Sequence, residues 1–110
     1  GSARISAYTA SKHGVIGLVR TAAAEVARAG VTVNAVCPGY VDTPMTDESV
    51  AAISAGTGRS SDEARQILEK MQPIGRLVTV EEVASAMMLC VDNAAINGQG
   101  LNVDGGAVQS

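Results

Sequence analysis

The chain has 110 residues, 46% of them hydrophobic, with a formal net charge of -3 and a sequence pI near 4.9. That length holds one domain at most, and with no Phe or Trp and only two Tyr its core must be aliphatic, built from Ala and Val. The acidic balance and the lack of any Lys/Arg run exclude a nucleic-acid footprint, and no apolar stretch reaches the length of a membrane span, so a soluble, cytoplasmic protein is expected.

The spacing predicts a long helix over residues 6–30, with Ser6 as N-cap, Arg28 favourable in the last turn and Gly30 in the left-handed C-cap position. Along it Tyr8, Lys12, Val15, Val19, Ala22 and Val26 recur at steps of four and three, the period of a buried stripe. A phenol and an ammonium therefore open a stripe that otherwise faces a core, where a lysine is costly unless something pairs with it. Gly14 and Gly17 each cost about 1 kcal/mol relative to Ala inside a helix. With Ala10 and Ala24 they bare a second face, suited to a neighbouring helix or subunit. His13 points about a quarter-turn away from the Tyr8 and Lys12 face and reads as a surface residue.

Residues 31–37 are β-branched and almost uniformly apolar, which predicts a short strand covered on both faces, as in parallel sheets flanked by helices. Asn34 breaks the run, and its amide must bond a neighbouring segment's backbone, a water or a ligand. Pro38 and Gly39 end the strand, and residues 38–44 leave from its C-terminal end, the side on which open α/β sheets bind ligands. Gly39 permits a close approach to the backbone there, while Pro38 and Pro44 limit the loop's freedom. Cys37 and Cys90 lack CxxC or CxxH spacing and read as buried free thiols, with no metal site.

Residues 45–72 form a composition shift. Thr46, Asp47 and Glu48 start a short helix, and the Gly- and Ser-rich residues 55–61 predict a mobile insertion, either a lid or a surface loop. Ser60 and Glu63 make a capping box for a helix to about Met71, closed by Pro73. Thr79 and Glu82 make another, opening a helix whose expected packing face is Val80, Val83, Ala84, Met87 and Val91. Asn97 and Gly98 mark a turn, and residues 101–103 a last strand before Asp104, Gly105 and Gly106. The order helix, strand, helices, strand implies a parallel pair with a crossover, hence an α/β fold.

With these pieces in place the sequence resembles the short-chain dehydrogenase/reductase family, specifically its C-terminal half. The resemblance rests on Tyr8-Thr9-Ala10-Ser11-Lys12 for the family's YxxxK and on Val33-Asn34-Ala35-Val36-Cys37-Pro38-Gly39 for its strand and PG loop. Val41 and Thr43 follow at the loop's cofactor positions, then Pro73-Ile74-Gly75-Arg76 and Val103-Asp104-Gly105-Gly106. Five features in family order, from Ile5 to Gly106, are far more specific than a lone YxxxK.

The resemblance implies the C-terminal part of a Rossmann-like, doubly wound parallel sheet, with residues 1–110 as one portion of a single domain. It implies NAD(P)-dependent hydride transfer between a nicotinamide and a carbonyl or secondary alcohol of the 3-ketoacyl or a similar ketone type. Tyr8 would be the general acid/base, and Lys12 would lower its pKa and hold the nicotinamide ribose. Val41 main chain and the Thr43 hydroxyl would hold the carboxamide, with Pro38 and Gly39 shaping the nicotinamide pocket. Family members commonly form dimers or tetramers, so a homo-oligomer is expected.

Other family features do not occur. The sequence contains no GxGxxG or TGxxxGxG turn for the cofactor pyrophosphate, and Ser2 and Ser6 stand too close to Tyr8 to be the family's catalytic serine. One reading is thus a truncated piece of a reductase, inactive by itself. The other is a non-catalytic association or ligand-binding module that retains the motifs.

Overall fold

The computed structural model describes residues 2–107, with residues 2–9 described by their backbone alone. In chain order it has α1 (Ser2–Val26) continued by a 3-10 turn (Ala27–Ala29), β1 (Ala35–Pro38), α2 (Pro44–Thr57), α3 (Ser61–Lys70), α4 (Val80–Asp92) and β2 (Gly100–Val103). It divides into two compact units. The first comprises the described residues through Val36 with residues 87–101; the second comprises residues 37–86 with the described residues from Asn102 onward.

In the first unit α1 starts four residues before Ser6, because Ala3 and Arg4 are strong helix formers and continue it backward. The capping role expected of Ser6 rests on a side chain outside the described residues. Gly30 closes the 3-10 turn in the left-handed conformation at φ 78°, as expected, with its N–H on the Ala27 carbonyl. Of the expected inward stripe, Lys12, Val19, Ala22 and Val26 are half-buried, whereas Val15 is 48% exposed and Ile16 and Ala23 face inward beside them. The cause is β2, since Ile16 packs where a side chain at Gly100 would stand and Ala23 lies 3.6 Å from a Cβ built on Gly98. Ala10, Gly14, Gly17 and Ala24 are all exposed, and nothing among the described residues lies within 4 Å of a Cβ at either glycine.

The strand predicted over residues 31–37 is shorter and later. Its N-terminal part is held by one side chain and one isolated main-chain bond instead of a ladder: Val33 N–H donates to Asn97 Oδ1 at 3.0 Å, and Gly98 N–H to the Val33 carbonyl at 2.9 Å. Asn34 meets backbone with both amide ends, donating to the Ile96 carbonyl at 3.1 Å and accepting from Gln99 N–H at 3.0 Å. Only beyond that clamp do β1 and β2 pair, because β2 begins at Gly100. Ala35 N–H donates to Gln99 at 2.8 Å and Gly39 N–H to Val103 at 3.0 Å; the partners advance together, so the pair is parallel. The α/β class therefore stands, although β1 is half-buried and not covered on both faces.

In the second unit residues 45–72 are far more helical than their composition reads. Helix runs unbroken through Ala55 and Gly56 to Thr57, and Gly58 caps α2 at φ 71° with its N–H on the Ser54 carbonyl. Val50, Ala64, Leu68 and Leu77 form a buried cluster with Ile53 against it. Burying those side chains outweighs the penalty of about 1 kcal/mol for a helical glycine. Ser60 caps α3 as expected, accepting Glu63 N–H at 3.2 Å, but the Glu63 carboxylate takes the Ser60 hydroxyl at 3.1 Å in place of the backbone N–H of a full capping box. Thr79 and Glu82 form the full box: Thr79 N–H donates to the Glu82 carboxylate at 2.9 Å and Glu82 N–H to the Thr79 hydroxyl at 3.1 Å. The packing face predicted for α4 is overturned: Val80, Ala84, Met87 and Val91 are exposed, and Val83, Ala86 and Cys90 are half-buried. No residue of α4 is fully buried, so its apolar stripe is left uncovered among the described residues. Cys37 and Cys90 are free and half-buried.

Candidate active site

The residues predicted to carry the chemistry fall into two groups, one in each unit. Tyr8 and Lys12 belong to the first, on the unbroken α1, where a separation of four residues puts both positions on one helix face. Lys12 is half-buried at the head of the inward stripe. The Tyr8 side chain lies outside the described residues. His13, one position on, is exposed.

Pro38, Gly39, Val41 and Thr43 belong to the second unit: Pro38 ends β1, and the other three lie on the short connection from β1 to α2. This loop is tied down along its length. Val78 N–H donates to the Tyr40 carbonyl at 2.9 Å and Asp42 N–H to the Val78 carbonyl at 2.8 Å, a parallel bridge centred on Val41. The Thr46 hydroxyl, buried, donates to the Val41 carbonyl. The Thr43 carbonyl accepts Thr46 N–H at 3.0 Å and Asp47 N–H at 3.2 Å, opening α2 with Pro44 in its first turn.

Thr43 itself is the N-cap of α2, yet its hydroxyl makes no capping hydrogen bond. A threonine at that position ordinarily spends its oxygen on the helix. Here the hydroxyl, half-buried with its residue, is left as a neutral donor and acceptor beside the main chain of residues 41–43. Such a donor set suits a carboxamide, which offers one carbonyl and one NH2, better than it suits a phosphate. The residues present thus fit the amide end of a nicotinamide.

Gly39 requires its missing side chain for a reason internal to the protein: a Cβ there would lie 3.0 Å from Asp104 Cα and would run into the Gln72 amide. Gln72 is 1% exposed. Its Oε1 accepts Tyr40 N–H at 2.6 Å and its Nε2 donates to the Arg76 carbonyl at 2.7 Å. Arg76 in turn grips both carboxylate oxygens of Glu82, at 2.7 and 2.9 Å. That grip, with the hydrogen bond from Thr79 N–H, lowers the Glu82 pKa to about 2. On the loop's other side Arg65 reaches Asp42 at 3.0 Å, Asp47 at 3.6 Å and Glu69 at 3.4 Å, joining α3 to the loop and to α2. The Asp42 hydrogen bond pushes the Arg65 pKa above its already high ordinary value.

Sequence reasoning missed Gln72, Arg65 and Thr46. Arg65 and Glu69 carry an i,i+4 signal. A lone glutamine before Pro73 gives no sign that it will be buried. No group of His, Cys, Asp and Glu able to hold a metal occurs among the described residues, and no described helix is long and apolar enough to cross a membrane.

A family model described as enoyl-(acyl carrier protein) reductase, within the short-chain dehydrogenase/reductase family, matches residues 1–108. The chain is 44% identical over 104 residues to D-beta-hydroxybutyrate dehydrogenase of Rhizobium meliloti, covering 92% of this chain and 40% of that protein. It is 47% identical over 102 residues to the granaticin polyketide synthase putative ketoacyl reductase 1 of Streptomyces violaceoruber, covering 90% and 37%. It also superimposes on a variant of actinorhodin polyketide ketoreductase solved with NADPH, with a TM-score of 0.79 and 43% identity over 91% of this chain and 39% of that one. The chain thus spans about two fifths of the length of the curated relatives it matches.

Proposed function

The chain belongs to the short-chain dehydrogenase/reductase family, and on that premise we propose that it carries the proton-transfer and nicotinamide-holding part of an NAD(P)-dependent ketone reductase. The observation that carries the reading is the pairing of Tyr8 and Lys12 on one turn of a continuous α1. NAD or NADP, when bound, would give a hydride to the ketone carbon in its reduced form and take one from the alcohol carbon in its oxidised form.

This chain's own residues supply the rest. In the reductive direction the Tyr8 hydroxyl gives its proton to the substrate oxygen as that oxygen gains charge, and in the oxidative direction the phenolate takes it back. The Lys12 ammonium favours the phenolate and offers hydrogen bonds to a ribose hydroxyl. The Thr43 hydroxyl and the main chain at Val41 hold the carboxamide, while Pro38 and Gly39 keep the strand end narrow. Fixing the nicotinamide by its amide sets which face meets the substrate, an orientation effect of the kind that dominates bimolecular steps.

The substrate is a small ketone or secondary alcohol of the 3-ketoacyl or hydroxyacyl type. The relatives' names, a hydroxybutyrate dehydrogenase and a ketoacyl reductase, support that class. Residues 45–72, folded as α2 and α3, act as the substrate-side cover. Exposed apolar residues on α1 and α4, among them Leu18 and Val91, support a homo-oligomer.

The test is ketone-dependent oxidation of NADPH or NADH by the polypeptide that the gene encodes, with ethyl acetoacetate as substrate. Ketone-dependent loss of absorbance with at least one nucleotide is expected, and its absence with both overturns the reading. The 110-residue chain alone, with no Gly-rich phosphate turn in its sequence, is expected to bind either nucleotide more weakly than micromolar. Micromolar affinity in a fluorescence titration contradicts that expectation.

A further inference from the structure

Gln72 is the largest side chain fully buried among the described residues, and it is polar. A buried amide is tolerated when both its ends are satisfied. Here the two ends meet partners of opposite polarity: the oxygen takes Tyr40 N–H at 2.6 Å and the nitrogen gives to the Arg76 carbonyl at 2.7 Å. Those partners fix which end is which, and they define the residue type. An ionised glutamate has no proton for Arg76, and asparagine is a methylene shorter.

The loop's own bonding shows what the glutamine adds. Residue 78 serves the Tyr40 carbonyl and the Asp42 amide, and the Thr46 hydroxyl serves the Val41 carbonyl. The Tyr40 amide is met by the side chain of residue 72, whose nitrogen goes on to the carbonyl of Arg76, two residues before Val78. Gly39 is packed against the same amide, so no side chain at that position can coexist with it. The peptide plane between residues 39 and 40 is therefore tied through Gln72 to the segment that carries Val78, and the groups of Val41 and Thr43 follow directly from it along the chain.

We propose that Gln72 is a positioning residue, whose side-chain amide sets the Tyr40 peptide and through it the Val41 main chain and Thr43 hydroxyl that receive the nicotinamide carboxamide. The carboxamide part rests on the function proposed above; the positioning of the loop rests on the hydrogen bonds alone.

The experiment is NMR on the 110-residue chain, comparing wild type, Gln72→Met and Gln72→Glu by amide hydrogen exchange, with and without millimolar NADPH as probe. Gln72→Met is expected to speed exchange at Tyr40 at least tenfold and to shift the Val41 and Thr43 amide signals, while exchange at Ala64 and Leu68 stays within about twofold. Gln72→Glu keeps the acceptor and is expected to restore part of the Tyr40 protection. Unchanged Tyr40 exchange in Gln72→Met overturns the proposal, and so does an equal loss at Tyr40, Ala64 and Leu68, which marks general destabilisation. If Gln72→Met does not fold, a scalar coupling across the hydrogen bond from Tyr40 nitrogen to Gln72 Cδ in the wild type supports the proposal, and its absence overturns it. NADPH-induced shifts at Val41 and Thr43 that shrink in Gln72→Met support the carboxamide part. A wild type in which NADPH moves neither signal, with exchange behaving as expected, rejects the carboxamide assignment and still supports the loop-setting role.

Discussion

Glu82 shows how one carboxylate can serve two neighbours at once. It closes the capping box at the start of α4 through Thr79 and holds Arg76 with both oxygens, and these contacts lower its pKa from 4.5 to about 2. A carboxylate whose folded pKa is depressed stabilises the fold fully above its unfolded pKa and loses that contribution as pH falls toward the folded one. Urea unfolding of wild type and Glu82→Gln should therefore differ most above about pH 4.5, the ordinary glutamate value, with the gap closing toward pH 2. A gap that stays constant from pH 7 to pH 2 would falsify this account of the Arg76 and Glu82 pair. Because the pair is largely exposed, added salt should narrow the gap as well.

At the scale of elements the sequence spoke clearly where a local signal sets the structure. The Ser60 and Thr79 caps, the Gly30 cap, the Asn97-Gly98 turn and the order of helices and strands could be read from residue types and spacing. It misled where tertiary contacts decide. Gly56 read as loop, yet Val50 and Ile53 gain enough by packing on Ala64 and Leu68 to carry helix through it. Val15 fitted a period of 3.6 as well as Ile16 did, and only the approach of Gly100 selects Ile16. Among the described residues α4 leaves Met87, Met88, Leu89 and Val91 exposed, and α1 leaves Leu18 72% exposed beside Gly14 and Gly17. Exposed apolar area of this kind is where soluble proteins associate. We therefore predict that the chain self-associates and that Leu18→Glu lowers its mass in sedimentation velocity by at least one step of assembly. A wild type that is monomeric at about 100 μM, where interfaces of ordinary size are populated, would contradict this.

For the whole molecule, the sequence offered positions for a candidate site but not the contacts that support them. Tyr8, Lys12, Pro38, Gly39, Val41 and Thr43 are proposed from the family resemblance, and they lie on α1, at the end of β1 and on the loop that follows it. Gln72, Arg65 and Thr46 hold that loop through contacts between residues 5 to 32 positions apart, which no local pattern encodes. The role proposed for Tyr8 is to pass the proton that accompanies hydride transfer. Its most direct measurement is the transfer of deuterium from 4-deuterated NADPH or NADH to ethyl acetoacetate, read by mass spectrometry of the hydroxyester, for the gene's polypeptide and its Tyr8→Phe variant. One deuterium per product molecule is expected with the wild type, and a rate about 10²–10⁴-fold lower in the variant, the range for losing a general acid. Deuterium transfer at equal rates in the two proteins would contradict it.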